Sequence, residues 1–190
     1  DVLTPSAVSA ASGSFADPHL QFGHGGIADY RGKDNMYSLL LSGPGVQFSG
    51  LTSLISFLLP FPKLVHGSFF TRVAWTLRGL SKINYGVVSD AGVVGFVVYN
   101  ISDGGRVICS ESGVWKQWWH DGIRVYMKQS TVYVRANGFE VNATRKPIYN
   151  LVSGVSKWRF DLNMRKLDGL GKFEFLHGRS SATCFPHGII

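Results

Sequence analysis

Apolar and polar side chains alternate with a period of two in several separate stretches of this chain. Thr71, Val73, Trp75 and Leu77 alternate with Arg72, Ala74, Thr76 and Arg78. Ile123, Val125 and Met127 alternate with Arg124, Tyr126 and Lys128, and Trp158, Phe160, Leu162 and Met164 with Lys157, Arg159, Asp161 and Asn163. Successive strand side chains point to opposite faces, so each stretch predicts a strand with one face in a core and one in water. Asn137-Gly138 separates Val132–Ala136 from Phe139–Asn142, a two-residue connection suited to a type I′ turn. A meander from about Gly122 to Thr144 follows. Gly92–Tyr99 is apolar on both faces and is expected to form a central strand covered on both sides. No segment keeps helical spacing and no internal repeat is evident. The fold class expected is all-β, mostly antiparallel, a β-sandwich or a rolled sheet.

Composition supports a folded β domain. Hydrophobic residues make up 45%, Gly numbers 23, and charged residues are only 16%, below the roughly 25% of ordinary domains. Residues 1–14 are small and polar and read as an N-terminal arm or linker; residues 15–190 read as a single domain. The start, Asp1-Val2-Leu3-Thr4-Pro5, lacks the basic and apolar regions of a signal peptide and reads as a mature or cut end. The longest apolar stretch, Leu51 to Leu59, ends at Pro60 and Pro62, short of the ~20 residues of a membrane span. No transmembrane helix is expected.

The formal net charge of +7 sits mainly in the second half: residues 96–190 hold thirteen Lys/Arg against seven Asp/Glu, residues 1–95 six against five. That bias suits an acidic partner, protein or glycan. No run of five basic residues exists, so nucleic acid is not an expected partner. Trp115, Lys116, Trp118 and Trp119, with Arg124 and Arg106 nearby, form the candidate binding surface. Trp115 and Trp119 are expected on one strand face and Trp118 on the other. An exposed face could anchor a protein or stack sugar rings; a buried strand would fill the core.

The remaining chemistry is sparse. Cys109 and Cys184 can form one disulfide closing a long loop or remain buried thiols. Asn100-Ile101-Ser102 and Asn142-Ala143-Thr144 satisfy the N-glycosylation pattern and favour a secretory route, Asn142 being the poorer acceptor inside a strand. Asp17, His19, His24 and Asp29 lie close enough in sequence to be considered as metal ligands. They sit around a glycine-rich loop with no second ligand pair, so neither a metal nor a cofactor is expected. Gly-x-Ser-x-Gly, His-Glu-x-x-His, P-loop and dinucleotide fingerprints are all absent, and no enzymatic activity is expected.

Phe15-Ala16-Asp17-Pro18-His19-Leu20-Gln21-Phe22, followed by Gly25–Gly32, resembles the opening of a von Willebrand factor type D-like domain. The resemblance places Asp17, Pro18 and His19 on the family's Asp-Pro-His, Phe22 on the next aromatic, and Tyr30 with Gly32 on the aromatic-x-glycine closing the first hairpin. Pro18 restricts Asp17 to extended backbone, and Asp17 and His19 can pin the turn through backbone hydrogen bonds. Some family members cleave themselves at Asp-Pro; Ala16 here stands where they carry glycine, and cleavage is not expected. The family's calcium loop has no counterpart, and two cysteines cannot supply its disulfide pattern. The ending Cys184–Ile190 looks like the approach to a glycine-rich closing element, so the domain is read as cut short or abbreviated.

The resemblance implies a non-catalytic adhesion or assembly module that binds other proteins or extracellular-matrix components. It would be a secreted glycoprotein, or would face the lumen of an organelle. The alternatives are a carbohydrate-binding module, with Trp118 stacking on a sugar, or a peripheral structural subunit of a larger complex, membrane-associated or not. The subunit reading is favoured if Leu54, Ile55, Phe57, Leu58 and Leu59 are unburied.

Overall fold

In a computed structural model, residues 11–15, 19–21, 27–59, 63–155 and 157–167 are described. The strands run β1 (Ala11–Phe15), β2 (His19–Gln21), β3 (Ile27–Asp29), β4 (Met36–Gly43), β5 (Val46–Leu59), β6 (Lys63–Arg78) and β7 (Asn84–Asp90). They continue as β8 (Gly95–Asn100), β9 (Arg106–Ser112), β10 (Gln117–His120), β11 (Ile123–Lys128), β12 (Thr131–Ala136), β13 (Phe139–Ile148) and β14 (Lys157–Lys166). One turn of 3-10 helix, Ile101–Asp103, is the only helical element among the described residues. No helix there is long and apolar enough to cross a membrane.

Two antiparallel sheets form the molecule. The first has the order β10-β11-β12-β13-β14, with the short strands β1-β2-β3 continuing it at the β14 side; the second has the order β4-β5-β6-β7-β8-β9. Neighbours in each sheet are also neighbours in sequence, except where β1 pairs with β14. The chain changes sheets after β3 and after β9, and the sheets do not close into a barrel. The all-β, antiparallel fold class expected from the alternation is observed, and of the two architectures expected, sandwich or rolled sheet, it is the sandwich.

The alternating apolar positions meet in the middle. Val73, Trp75 and Leu77 of β6 pack in one core with Ile123, Val125 and Met127 of β11 and Phe160, Leu162 and Met164 of β14. Their outward neighbours Arg72, Thr76 and Arg78 are exposed, as the period of two requires. Gly92–Tyr99 differs from expectation: residues 91–94 form the turn after β7, Val93 is exposed, and the strand begins only at Gly95. β8 lies between β7 and the edge strand β9. A Cβ on Gly95 would meet the Glu111 carbonyl oxygen at 2.2 Å, so glycine permits this close approach.

Two type I′ turns of the first sheet tie it to the second. Asn137 (φ 51°) and Gly138 (φ 78°) join β12 to β13, as the Asn-Gly pair predicts. The Asn137 side-chain amide donates to the carbonyls of Gly45 (2.9 Å) and Arg78 (2.8 Å) in the other sheet. Asp121 (φ 53°) and Gly122 (φ 79°) join β10 to β11. The Asp121 carboxylate accepts from the Ser81 backbone N–H at 2.8 Å, from the Ser81 hydroxyl, and from the Tyr85 hydroxyl at 3.3 Å. Burial alone would raise the Asp121 pKa, but these hydrogen bonds and nearby His120 outweigh it and hold the carboxyl below its ordinary range.

β5 and β6 run beyond their flanking strands. β4 accompanies β5 only to Thr52, and β7 accompanies β6 only from Arg72. The overhang packs Ile55 and Phe69 on Ile148, with Phe57 and Leu151 at the margin, in a second small core.

Candidate functional site

β10 is Gln117-Trp118-Trp119-His120, and its period of two separates the adjacent tryptophans. Trp118 turns inward, is 1% exposed, and packs against the rings of Tyr85 and His120, with centroids at 5.7 and 6.0 Å. It cannot stack on a sugar, so the carbohydrate reading built on Trp118 is corrected. Trp119 points outward and is 57% exposed. Trp115 is also exposed, but it lies in the 113–116 loop with φ 61°, not on a strand face with Trp119; the Lys128 ammonium stands 5.8 Å from its ring centroid. Lys116 pairs with Glu111 at 3.6 Å. Arg106 lies on β9 of the other sheet, beside Asp103, and does not join the β10–β14 rows.

Register then assembles a row that composition alone does not reveal. Trp119 lies opposite Arg124, Arg124 opposite Arg135, Arg135 opposite Glu140, and Glu140 opposite Arg165. The row crosses β10 to β14 on the outer face of the first sheet. Glu140 is only 2% exposed although it faces outward, because two guanidinium groups cover it. Arg135 Nε donates to Glu140 Oε2, and Arg165 Nη2 donates to Oε1 at 2.6 Å. One carboxylate thus fixes two arginines, whose side chains stay 36% and 45% exposed.

The next row strengthens the platform. Gln117, Tyr126, Tyr133, Asn142 and Asn163 are successive cross-strand neighbours. The Tyr126 and Tyr133 rings stack at 4.6 Å, and the Arg124 guanidinium lies 5.0 Å from the Tyr126 centroid. Burial raises the Tyr126 pKa, the neighbouring arginines offsetting only part of it, so this phenol is a neutral hydrogen-bonding group at pH 7. Across β10–β14 there are nine Lys/Arg and two Asp/Glu; β4–β9 carry four and two. The first sheet is the electropositive one.

Arg135, Glu140 and Arg165 were not among the residues expected from sequence. The signal for the first two was present: a two-residue turn at Asn137-Gly138 places Ala136 opposite Phe139 and hence Arg135 opposite Glu140. Arg165 has no such local signal, because the connection from β13 to β14 is not a tight turn.

Other expected residues are dispersed. Asp17, Pro18, Phe22 and His24 lie outside the described residues. His19 is in β2, its backbone in register with Asp29 of β3, which is exposed. Among the described residues, no three His, Cys, Asp or Glu side chains are grouped to hold a metal. Tyr30 stacks on Phe70 (5.3 Å) and hydrogen-bonds to Ser38, and Gly32 sits where a Cβ would come 2.3 Å from Thr52 Oγ1. Both residues therefore anchor the passage from the first sheet to the second. Cys109 is buried and carries no free thiol; Cys184 lies outside the described residues. Asn100 Oδ1 accepts from the Asp103 N–H (3.1 Å) at the end of β8, leaving Nδ2, the atom a glycan attaches to, out of that bond. Asn142 is half-buried within β13, with its Oδ1 buried and lacking a hydrogen-bond partner.

Comparison with protein-family models, curated proteins and solved structures finds no match to this chain, so fold and site stand on its own residues.

Proposed function

We propose that this chain is a non-catalytic adhesion or assembly module of von Willebrand D-like type, acting on an extracellular or luminal surface. Its contact surface is the outer face of the β10–β14 sheet, and its partner is a protein with an acidic patch. The observation that carries this reading is the cross-strand row from Trp119 to Arg165. Exposed Trp and Arg are the side chains that most often dominate protein interfaces, and a basic field speeds encounter with acidic surfaces. Residues 15–32 support the family assignment through their sequence pattern.

The test is co-purification from native extract. A stoichiometric partner held by the wild-type chain should be lost from Trp119→Ala/Arg124→Ala, which replaces no residue of the buried core. Retention of that partner by the double variant would sink the assignment of this face. The compartment is tested by intact mass before and after enzymatic removal of N-glycans. A glycan at Asn100 supports the secretory route; an unmodified mass from native material removes that support.

A peripheral-subunit reading is favoured by a separate observation. Leu54, Leu58 and Leu59 are exposed on the β5 overhang with Leu64 of β6, whereas Ile55 is buried and Phe57 half-buried. If assembly runs through this hairpin, Leu58→Asp should release the partner while Trp119→Ala/Arg124→Ala does not.

A further inference from the structure

The Arg124–Arg135 pairing sets two cations side by side, Arg124 beside the Tyr126 ring and Arg135 on Glu140. Like charges directly opposite each other on neighbouring strands destabilise a sheet, yet β11 and β12 place these two guanidiniums in register. Arg135 is matched by Glu140, but Glu140 is shared with Arg165, so the row Arg124–Arg135–Glu140–Arg165 carries three positive charges and one negative. A guanidinium has five N–H donors, and the Glu140 contacts use only one on each arginine. The face therefore combines excess positive charge, spare donors and two arginines whose positions are already set.

We propose that this row is a docking track for an extended acidic polypeptide segment lying across strands β11 to β14. The segment's alternating carboxylates would seat on Arg124, Arg135 and Arg165, with an apolar residue against Trp119. The inference rests on the reading of this face as the protein-binding surface and specifies what it binds. Spacing selects the occupant along with charge. Neighbouring strands lie about 4.8 Å apart, so β11 to β14 spans about 14 Å. In an extended chain rising about 3.3 Å per residue, carboxylates at i and i+4 share one face and span about 13 Å, matching Arg124 and Arg165, while the carboxylate at i+2 lies about 7 Å along, within side-chain reach of Arg135 at about 5 Å. Charge-assisted, bidentate contacts between guanidinium and carboxylate supply the specificity. Because Glu140 already holds two of the three arginines, little side-chain entropy is lost when the segment binds.

The experiment is fluorescence anisotropy of the whole chain with a fluorescein-labelled peptide of alternating Glu and Thr ending in Leu. A control peptide has every Glu replaced by Gln. The Glu peptide should bind at least about tenfold more tightly than the Gln peptide at low salt. Arg124→Gln, which breaks no ion pair among the described residues, should weaken binding about thirtyfold, the threshold of a single interface hot spot. Glu140→Gln separates a set site from a general field. It raises the net positive charge, so a field alone would tighten binding, whereas loss of the clamp should weaken it. Circular dichroism of each variant reports whether the fold is kept; if Glu140→Gln unfolds, Arg124→Gln decides the question.

Equal binding of both peptides, no effect of Arg124→Gln, or tighter binding by folded Glu140→Gln would overturn the inference. So would tight binding of dextran sulfate with none of the Glu peptide, which would mark the face as a polysaccharide surface. If the peptide fails while Trp119→Ala/Arg124→Ala still loses a native protein partner, the module reading stands and only the extended acidic segment is wrong.

Discussion

Trp118 and Trp119 are adjacent in sequence and opposite in consequence. Trp118 fills the core against Tyr85, so Trp118→Ala should cost about 3–5 kcal/mol of stability through lost burial and a cavity. Trp119→Ala should change stability by less than about 0.5 kcal/mol, because its ring is largely in water. Chemical-denaturation midpoints at unchanged slope would check both, and comparable losses would contradict the assignment of faces. Asn137 carries two roles in one side chain: it tolerates positive φ and it donates across to the second sheet. Asn137→Gly keeps the φ and loses the donors, at about 1 kcal/mol. Asn137→Ala also imposes left-handed strain and should cost about 1–2 kcal/mol more. The order Asn, Gly, Ala in urea midpoint is the expected result.

Elements differ in how they are held. The passage from β3 to β4 depends on a backbone approach: Gly32 meets the side chain of Thr52, which is fully buried. Gly32→Ala should therefore destabilise by about 1–3 kcal/mol through overpacking. An unchanged thermal midpoint would show that this passage can shift. The turn between β10 and β11 is held by charge. Because the folded state keeps Asp121 below its unfolded pKa, its contribution is complete above the ordinary carboxylate range. It is lost as pH falls through the depressed folded value. Asp121→Asn should lower stability at pH 7 and flatten the acid side of the stability-versus-pH curve. Urea midpoints measured from pH 7 down to pH 3 would show this. A slope equal to that of the wild type would remove Asp121 from the account.

At the scale of the molecule, the two sheets share a core and differ in charge. Most of the uncompensated strand charge lies on β10–β14, an excess of seven against two on β4–β9, so an acidic partner should be oriented toward that face before contact. Partner capture should therefore weaken as salt rises from 0.1 M to 1 M, where the screening length falls from about 10 Å to about 3 Å. Salt-insensitive capture that also survives Arg124→Ala but not Leu58→Asp would move the contact to the apolar β5–β6 overhang. Surface plasmon resonance with the purified partner at several salt concentrations distinguishes the two.

The sequence by itself determined the fold class, the inward residues of β6, β11 and β14, and the Asn137-Gly138 turn. All of these depend on neighbours one or two positions away, where alternation and backbone dihedral preferences act. It also contained the Arg135–Glu140 pairing, since a two-residue turn sets the register on either side of it. Only the tertiary structure decided that Trp118 is core while Trp119 is surface, because an alternating strand does not say which of its faces meets the second sheet. The same holds for Gly92–Val94, apolar in composition yet placed in a turn. Arg165 joined the site through pairing across a long connection, and Asp121 and Asn137 became links between sheets through contacts with residues 40 or more positions away. Such contacts follow from how two sheets stack, a property of the packed core that no local window of residues carries.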